Sequence, residues 1–150
     1  DMGKQLQKMG KLKEARPLLE QALQACRQTR GDRDPDTLNS INNLGMLLRQ
    51  MGQLEEARLL LEEYLQGERE TLGDRHPRTL TSISSMGNLL KEMGKLEEAR
   101  PLLEEVMQTC RETLGDRHPG TLVSIGNMGQ LLQDMGQLEE ARPLFEEALQ

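Results

Sequence analysis

Apolar residues return along this chain at spacings of three and four. Leu80, Ile83, Met86, Leu90 and Met93 mark one face of a helix, and Leu96, Ala99, Leu102, Leu103, Val106, Met107, Cys110 and Leu114 mark another. The spacing predicts a helix from about Pro77 to Met93, a stop near Gly94, and a second helix that closes at Gly115. The link Met93-Gly94-Lys95-Leu96 is so short that the two helices must lie antiparallel and adjacent.

The same pattern recurs. "NLGMLLRQMGQLEEARLLLEEYLQ" at 43–66 is matched by "SMGNLLKEMGKLEEARPLLEEVMQ" at 85–108 and "NMGQLLQDMGQLEEARPLFEEALQ" at 127–150, and the opening "DMGKQLQKMGKLKEARPLLEQALQ" is a fourth copy. Each copy begins 42 residues after the last, without insertion or deletion. A helix pair of this kind has two apolar faces and buries both only by stacking on its neighbours, so the expected fold is all-α. It is an α-solenoid, a superhelix of stacked antiparallel helix pairs. The expected organisation is one array over 1–150: a partial repeat at 1–34, repeats at 35–76 and 77–118, and a truncated final repeat at 119–150.

Between the copies lie three connectors: "GDRDPDTL" at 31–38, "GDRHPRTL" at 73–80 and "GDRHPGTL" at 115–122. They hold the only histidines, His76 and His118, and the first connector has Asp34 in that place. A paired histidine site would not survive that exchange; a helix boundary would. Gly31, Gly73 and Gly115 suit the left-handed closure of one helix, and Pro35, Pro77 and Pro119 suit the first position of the next. Asp34, His76 and His118 then fall at the N-cap, where Asp is the better residue.

Two small residues recur inside the helices. Gly3, Gly45, Gly87 and Gly129 lie in the first helix, where Gly costs about 1 kcal/mol relative to Ala, and Ala15, Ala57, Ala99 and Ala141 lie in the second. A penalty repeated in every copy points to close helix approach, with Gly facing Ala. Pro17, Pro101 and Pro143 fall inside the second helix and predict a mild kink or a looser first turn.

Composition narrows the function. The formal net charge is −6 and Tyr64 and Phe145 are the only aromatic residues, which argues against a basic nucleic-acid reader. No run of 18 apolar residues is present to span a membrane. The chain starts without Met and reads as a piece excised from a longer protein. Cys26 and Cys110, with no CxxC or Cys/His cluster, read as reduced structural thiols of a cytoplasmic protein. They occupy equivalent sites two repeats apart, about 20 Å by helix spacing, too far to bridge.

Gly45, Gly52, Ala57 and Leu65, with Gly87, Gly94 and Ala99, and Gly129, Gly136, Ala141, Ala148 and Leu149, make the pattern resemble the tetratricopeptide repeat. The 42-residue length and the "LGDRHPxTL" connector resemble the kinesin-light-chain type of that repeat. Leu and Met stand where such repeats carry large aromatics, as at Leu48, Leu54, Leu90 and Leu96. The copies are also alike enough to suit recent duplication or consensus design.

The resemblance implies a non-catalytic scaffold that binds a protein or peptide, with the first helices lining a concave face. The outward positions there are Lys4 and Lys8; Asn39, Asn42, Met46 and Arg49; Ser84, Asn88 and Lys91; and Gln130 and Gln133. Amide side chains can pair both N–H and C=O of an extended peptide, and the cations favour an acidic segment. The alternative is self-association: Met2, Leu6 and Met9 at one end and Leu144, Phe145, Ala148 and Leu149 at the other are expected to be partly exposed, and head-to-tail contact can propagate. The second helices carry an acidic, solvated face with the i,i+4 pairs Arg16–Glu20, Arg58–Glu62, Arg100–Glu104 and Arg142–Glu146. No catalytic residues, metal ligands or cofactor are expected, because no nucleophile–base pair, phosphate loop or metal-spaced cluster remains once the repeat is recognised.

Overall fold

The computed structural model describes residues 2–149, and their side chains from Lys8 onward. Among the described residues seven helices follow one another: α1 (Met2–Arg30), α2 (Pro35–Gln50), α3 (Leu54–Leu72), α4 (Pro77–Glu92), α5 (Leu96–Leu114), α6 (Pro119–Asp134) and α7 (Leu138–Leu149). Among the described residues there is no strand, and no helix is long and apolar enough to cross a membrane. Contacts group the chain into two compact units, Asp1–Asp74 and Arg75–Gln150. In the first, α2 packs against both α1 and α3; in the second, α4 packs on α5, α5 on α6, and α6 on α7.

The helix limits follow from local chemistry. Pro35, Pro77 and Pro119 each open a helix, and the residue before them caps it. The Asp34 carboxylate accepts from the Asp36 amide at 2.9 Å. The His76 and His118 rings do the same through Nδ1, accepting from the Arg78 and Gly120 amides at 3.1 and 3.0 Å. The histidines therefore terminate helices. At the far end, Gly52 and Gln53 donate to Arg49 and Leu48, and Gly94 and Lys95 to Lys91 and Leu90. This pair of bonds is the Schellman closure, with Gly52 and Gly94 at φ +80° and +77°.

Three expectations need correction. The connector glycines do have positive φ, but Gly73 and Gly115 sit at ψ 162° and 158°, a region essentially reserved for glycine rather than the left-handed helical one. The closest approach at Gly45 and Gly87 is to Leu61 and Leu103: a Cβ there would come within 2.8 Å of each leucine's Cδ2, while at Gly87 the Ala99 carbonyl oxygen is next, at 3.8 Å. Alanine's small side chain at Ala57 and Ala99 is buried one helical turn earlier. Gly129 stands in the same relation to Phe145. Pro17, Pro101 and Pro143 lie inside α1, α5 and α7, as expected. Finally, the turn expected at Met9-Gly10-Lys11-Leu12 is absent, and α1 runs unbroken from Met2 to Arg30.

The core repeats with the sequence. Thr37, Thr79 and Thr121, and Ile41, Ile83 and Ile125, are fully buried at equivalent places in α2, α4 and α6. In the first unit Leu23, Leu38, Ile41, Leu44, Leu47, Leu48 and Ala57 form the cluster; in the second, Leu90, Ala99, Leu103, Met128, Leu131, Leu132 and Ala141 do. Each buried leucine contributes about 1.5–3 kcal/mol, so the aliphatic core replaces the missing aromatics. Cys26 and Cys110 are free thiols, the first half-buried and the second buried.

Candidate functional site

The outward positions of the first helices lie opposite their buried stripe. On α2, Asn39 and Met46 are exposed, and Asn42 and Arg49 are half-buried. On α4, Ser84, Asn88 and Lys91 are half-buried; on α6, Gln130 and Gln133 are exposed. Val123 adds an exposed aliphatic residue to the α6 face, at the place of Asn39 and Thr81. The side chain of Lys4 lies outside the described residues. Lys8 is exposed on the straight α1; without the turn at Gly10 it is not carried round to the face of α2.

Within the second unit these residues interact across helices. Lys91 Nζ of α4 lies 4.0 Å from the Asp134 carboxylate of α6, and Gln130 Nε2 donates to the same carboxylate at 3.2 Å. The expected positive bias at Lys91 is thus partly neutralised by Asp134. Sequence reading does not find this pair, because the contact joins neighbouring repeats 43 positions apart in number.

The second helices of each unit hold a larger polar network. The four i,i+4 pairs form as expected, with Arg16–Glu20 at 2.8 Å, Arg58–Glu62 and Arg100–Glu104 at 2.7 Å and Arg142–Glu146 at 3.0 Å. The same arginines reach further. Arg16 also binds Gln53 and donates to Glu56 at 2.6 Å, and Arg100 donates to Gln137 at 2.9 Å and Glu140 at 3.2 Å. Near the helix ends, Arg27 holds Glu63 and Arg111 holds Glu147, each through two parallel bonds at 2.6 and 2.8 Å. Arg33–Glu70 and Arg75–Glu112 repeat the theme at 2.5 and 2.9 Å.

These pairs tie the second helix of one repeat to the second helix of the next, or, at Arg33 and Arg75, a connector to the second helix that follows it. The signal was present in the sequence, since each Arg and each Glu recurs at the 42-residue step, but a helix-by-helix reading sees only the i,i+4 partners. The electrostatics follow from the geometry. Glu147 is held below the usual carboxylate range by the Arg111 guanidinium, and Glu70 by Arg33 and then Gln66. Gln108, then Arg75, lower Glu112, while Arg27 and Arg111 are pushed further up by Glu63 and Glu147. Such charge-assisted, bidentate bonds set helix register as well as adding stability.

A shallow cleft of about 420 Å³ lies in the second unit, with Met107, Met128, Leu132 and Leu144 as its apolar floor and Arg100 and Glu140 at its rim. The self-association candidates sit nearby or at the first helix. Leu144, Phe145 and Ala148 are half-buried, Leu149 is 87 % exposed, and Met9 is half-buried. The side chains of Met2 and Leu6 lie outside the described residues. Among the described residues no group of three or more His, Cys, Asp or Glu side chains is arranged to hold a metal.

Comparison with known proteins is consistent across two independent routes. Residues 1–69 and 78–150 match the Tetratricopeptide repeat family. No curated protein sequence matches the chain. Among solved structures, nearly identical TPR-like repeats from a Podosopora anserina protein described as a kinesin light chain superpose with a TM-score of 0.81. Sequence identity is 31%, over 98% of this chain and 70% of that one. A variant form of the same repeats gives the same TM-score and identity, over 98% of this chain and 69% of that one. BtubC (BKLC) of P. vanneervenii shares the fold at a TM-score of 0.77 and 22% identity, over 95% of this chain and 56% of that one. With its 42-residue period and capped connectors, this α-solenoid chain belongs to the tetratricopeptide-repeat family, in its kinesin-light-chain-like form.

Proposed function

We propose that this protein-interaction scaffold, without catalytic machinery of its own, holds an extended peptide or protein segment against the outward faces of α2, α4 and α6. One observation carries the reading: inward and outward positions of these helices behave differently from repeat to repeat. Inward, Thr37, Thr79 and Thr121 and Ile41, Ile83 and Ile125 are unchanged and buried. Outward, the equivalent triplets are Asn39, Thr81 and Val123; Met46, Asn88 and Gln130; and Arg49, Lys91 and Gln133. Solvation alone asks only for polarity, whereas a ligand that contacts each repeat differently asks for different side chains. Amides and hydroxyls serve both donors and acceptors of an extended backbone.

The ligand that fits best is an acidic segment, whose carboxylates would compete with Asp134 for Lys91 and engage Arg49. Such a scaffold works in the cytoplasm, where Cys26 and Cys110 stay reduced. The test is an array of acidic and neutral peptides probed with the wild-type chain and with Arg49→Glu and Lys91→Glu. Weaker capture of acidic peptides by both variants is expected; capture indifferent to both would dismiss the groove.

The exposed Leu149 beside half-buried Leu144, Phe145 and Ala148 favours a second reading, in which copies associate head to tail. Sedimentation over a wide concentration range distinguishes the two, since a peptide scaffold stays monomeric and a self-assembling array grows.

A further inference from the structure

A ladder of ion pairs in each unit frames the same window, and the two units fill it differently. In the first unit α1 and α3 are tied at Arg16–Glu56 and again at Arg27–Glu63. Between these rungs Leu23 is buried, and the ring of Tyr64 packs against the cluster that holds Leu23 and Leu44. In the second unit α5 and α7 are tied at the equivalent Arg100–Glu140 and Arg111–Glu147. There Met107 and Met128 replace the two leucines, and Ala148 replaces Tyr64. Met107 is only half-buried, and the cleft of about 420 Å³ opens over Met107, Met128, Leu132 and Leu144.

The walls of this cleft are acidic. Helices α5 and α7 together carry nine glutamates and three arginines, a net charge of −6 that equals the formal charge of the whole chain. At the rim Arg100 takes Glu104 Oε1 and Glu140 Oε2, and the two glutamate side chains remain 46 % and 56 % exposed. A carboxylate has two acceptor oxygens, so each can hold a second cation. An apolar floor that lacks its ring, between walls of one sign, suits an aromatic side chain carried on a basic segment.

We propose that the α5–α7 cleft is a docking surface for a basic segment of a partner protein, which inserts one aromatic side chain between the Arg100–Glu140 and Arg111–Glu147 rungs. The ring takes the place that Tyr64 takes in the first unit. It rests on Met107 and Met128, whose unbranched thioethers adjust to its shape. Lysines or arginines beside it engage Glu104 and Glu140. This surface uses other residues than the outward faces of α4 and α6 and selects the opposite charge, so it does not rest on the proposed peptide groove.

Fluorescence anisotropy with a labelled lysine-rich peptide carrying one central tyrosine tests this on the whole chain. The peptide should bind, and changing its tyrosine to alanine should weaken binding about tenfold or more, as for a buried aromatic anchor. Ala148→Tyr gives α7 the ring of α3 and should close the cleft, with a similar loss of about tenfold and an unchanged helical signal in circular dichroism. Glu104→Gln together with Glu140→Gln should weaken binding severalfold and flatten its salt dependence; this arm decides the matter if Ala148→Tyr does not fold. An acidic tyrosine peptide, the ligand class of the groove, should be indifferent to Ala148→Tyr, which separates the two surfaces. Equal binding of the tyrosine and alanine peptides, or binding by folded variants that matches the wild type, would overturn the docking surface. So would sedimentation showing a dimer that Ala148→Tyr abolishes, since the cleft would then belong to a second copy.

Discussion

Arg111 near the end of α5 and Glu147 of α7 face each other fork to fork, 36 residues apart in the chain and joined by bonds of 2.6 and 2.8 Å. Arg27 and Glu63 make the same pair between α1 and α3. A planar guanidinium matched to a carboxylate fixes both distance and orientation, which a lysine ammonium cannot do. Arg111→Lys should therefore cost nearly as much stability as Arg111→Ala, about 0.5–1 kcal/mol for a partly exposed pair. Urea denaturation of both variants checks this, and a Lys variant as stable as the wild type would show that charge alone suffices.

Acid should loosen the same network. Glu147, Glu70 and Glu112 are held below the carboxylate's ordinary value, by Arg111, by Arg33, and by Gln108 with Arg75. Their protons therefore bind more readily to the unfolded chain. The stabilisation is complete above the unfolded value of 4.5 and is lost as pH falls through the lowered folded values. Melting temperature followed from pH 6 down to about pH 3 should decline most steeply below that unfolded value, and Glu147→Gln should flatten part of the decline. A level profile would remove the ion pairs from the account.

The histidine caps give a gain-of-stability test. His76 and His118 occupy the position where Asp34 caps α2, and each accepts one amide through Nδ1. Asp is the preferred residue at that position and adds a negative charge at a helix N-terminus. His76→Asp and His118→Asp should each raise stability by about 0.5–1 kcal/mol, while His76→Ala should lower it. If the Asp variants unfold earlier, the rings have some role beyond capping.

Gly87 tests the packing inside a repeat. A Cβ on it would press on Leu103 Cδ2 at 2.8 Å and Cγ at 3.0 Å, in a core where Leu103 is buried. Gly87→Leu should destabilise by about 1–3 kcal/mol or more through overpacking. Gly10→Leu, with nothing near it in the straight helix, should cost little by comparison. Thermal unfolding of the pair reads the difference directly.

The repeat, the all-α class, the helix ends of α4 and α5 and the solvated i,i+4 pairs were legible from residue order. They depend on interactions within a few turns of one helix: apolar period, proline at the first position, a cap before it, glycine after the last turn. Equivalent residues of four aligned copies reinforced each of these signals. What required coordinates were contacts between elements far apart in number. Gly45 meets Leu61 rather than Ala57 because helix crossing, not sequence spacing, chooses the facing residue. Lys91 meets Asp134, and Arg111 meets Glu147, because stacking brings separate helices side by side.

Met9-Gly10-Lys11-Leu12 marks the boundary between the two kinds of information. Its order is identical to Met93-Gly94-Lys95-Leu96, yet one is helix and the other is turn. Sequence determined that glycine makes both conformations accessible; tertiary packing decided between them. A helix arm stays folded back only when the apolar surface it buries outweighs the backbone order it surrenders, and that balance belongs to the assembled fold.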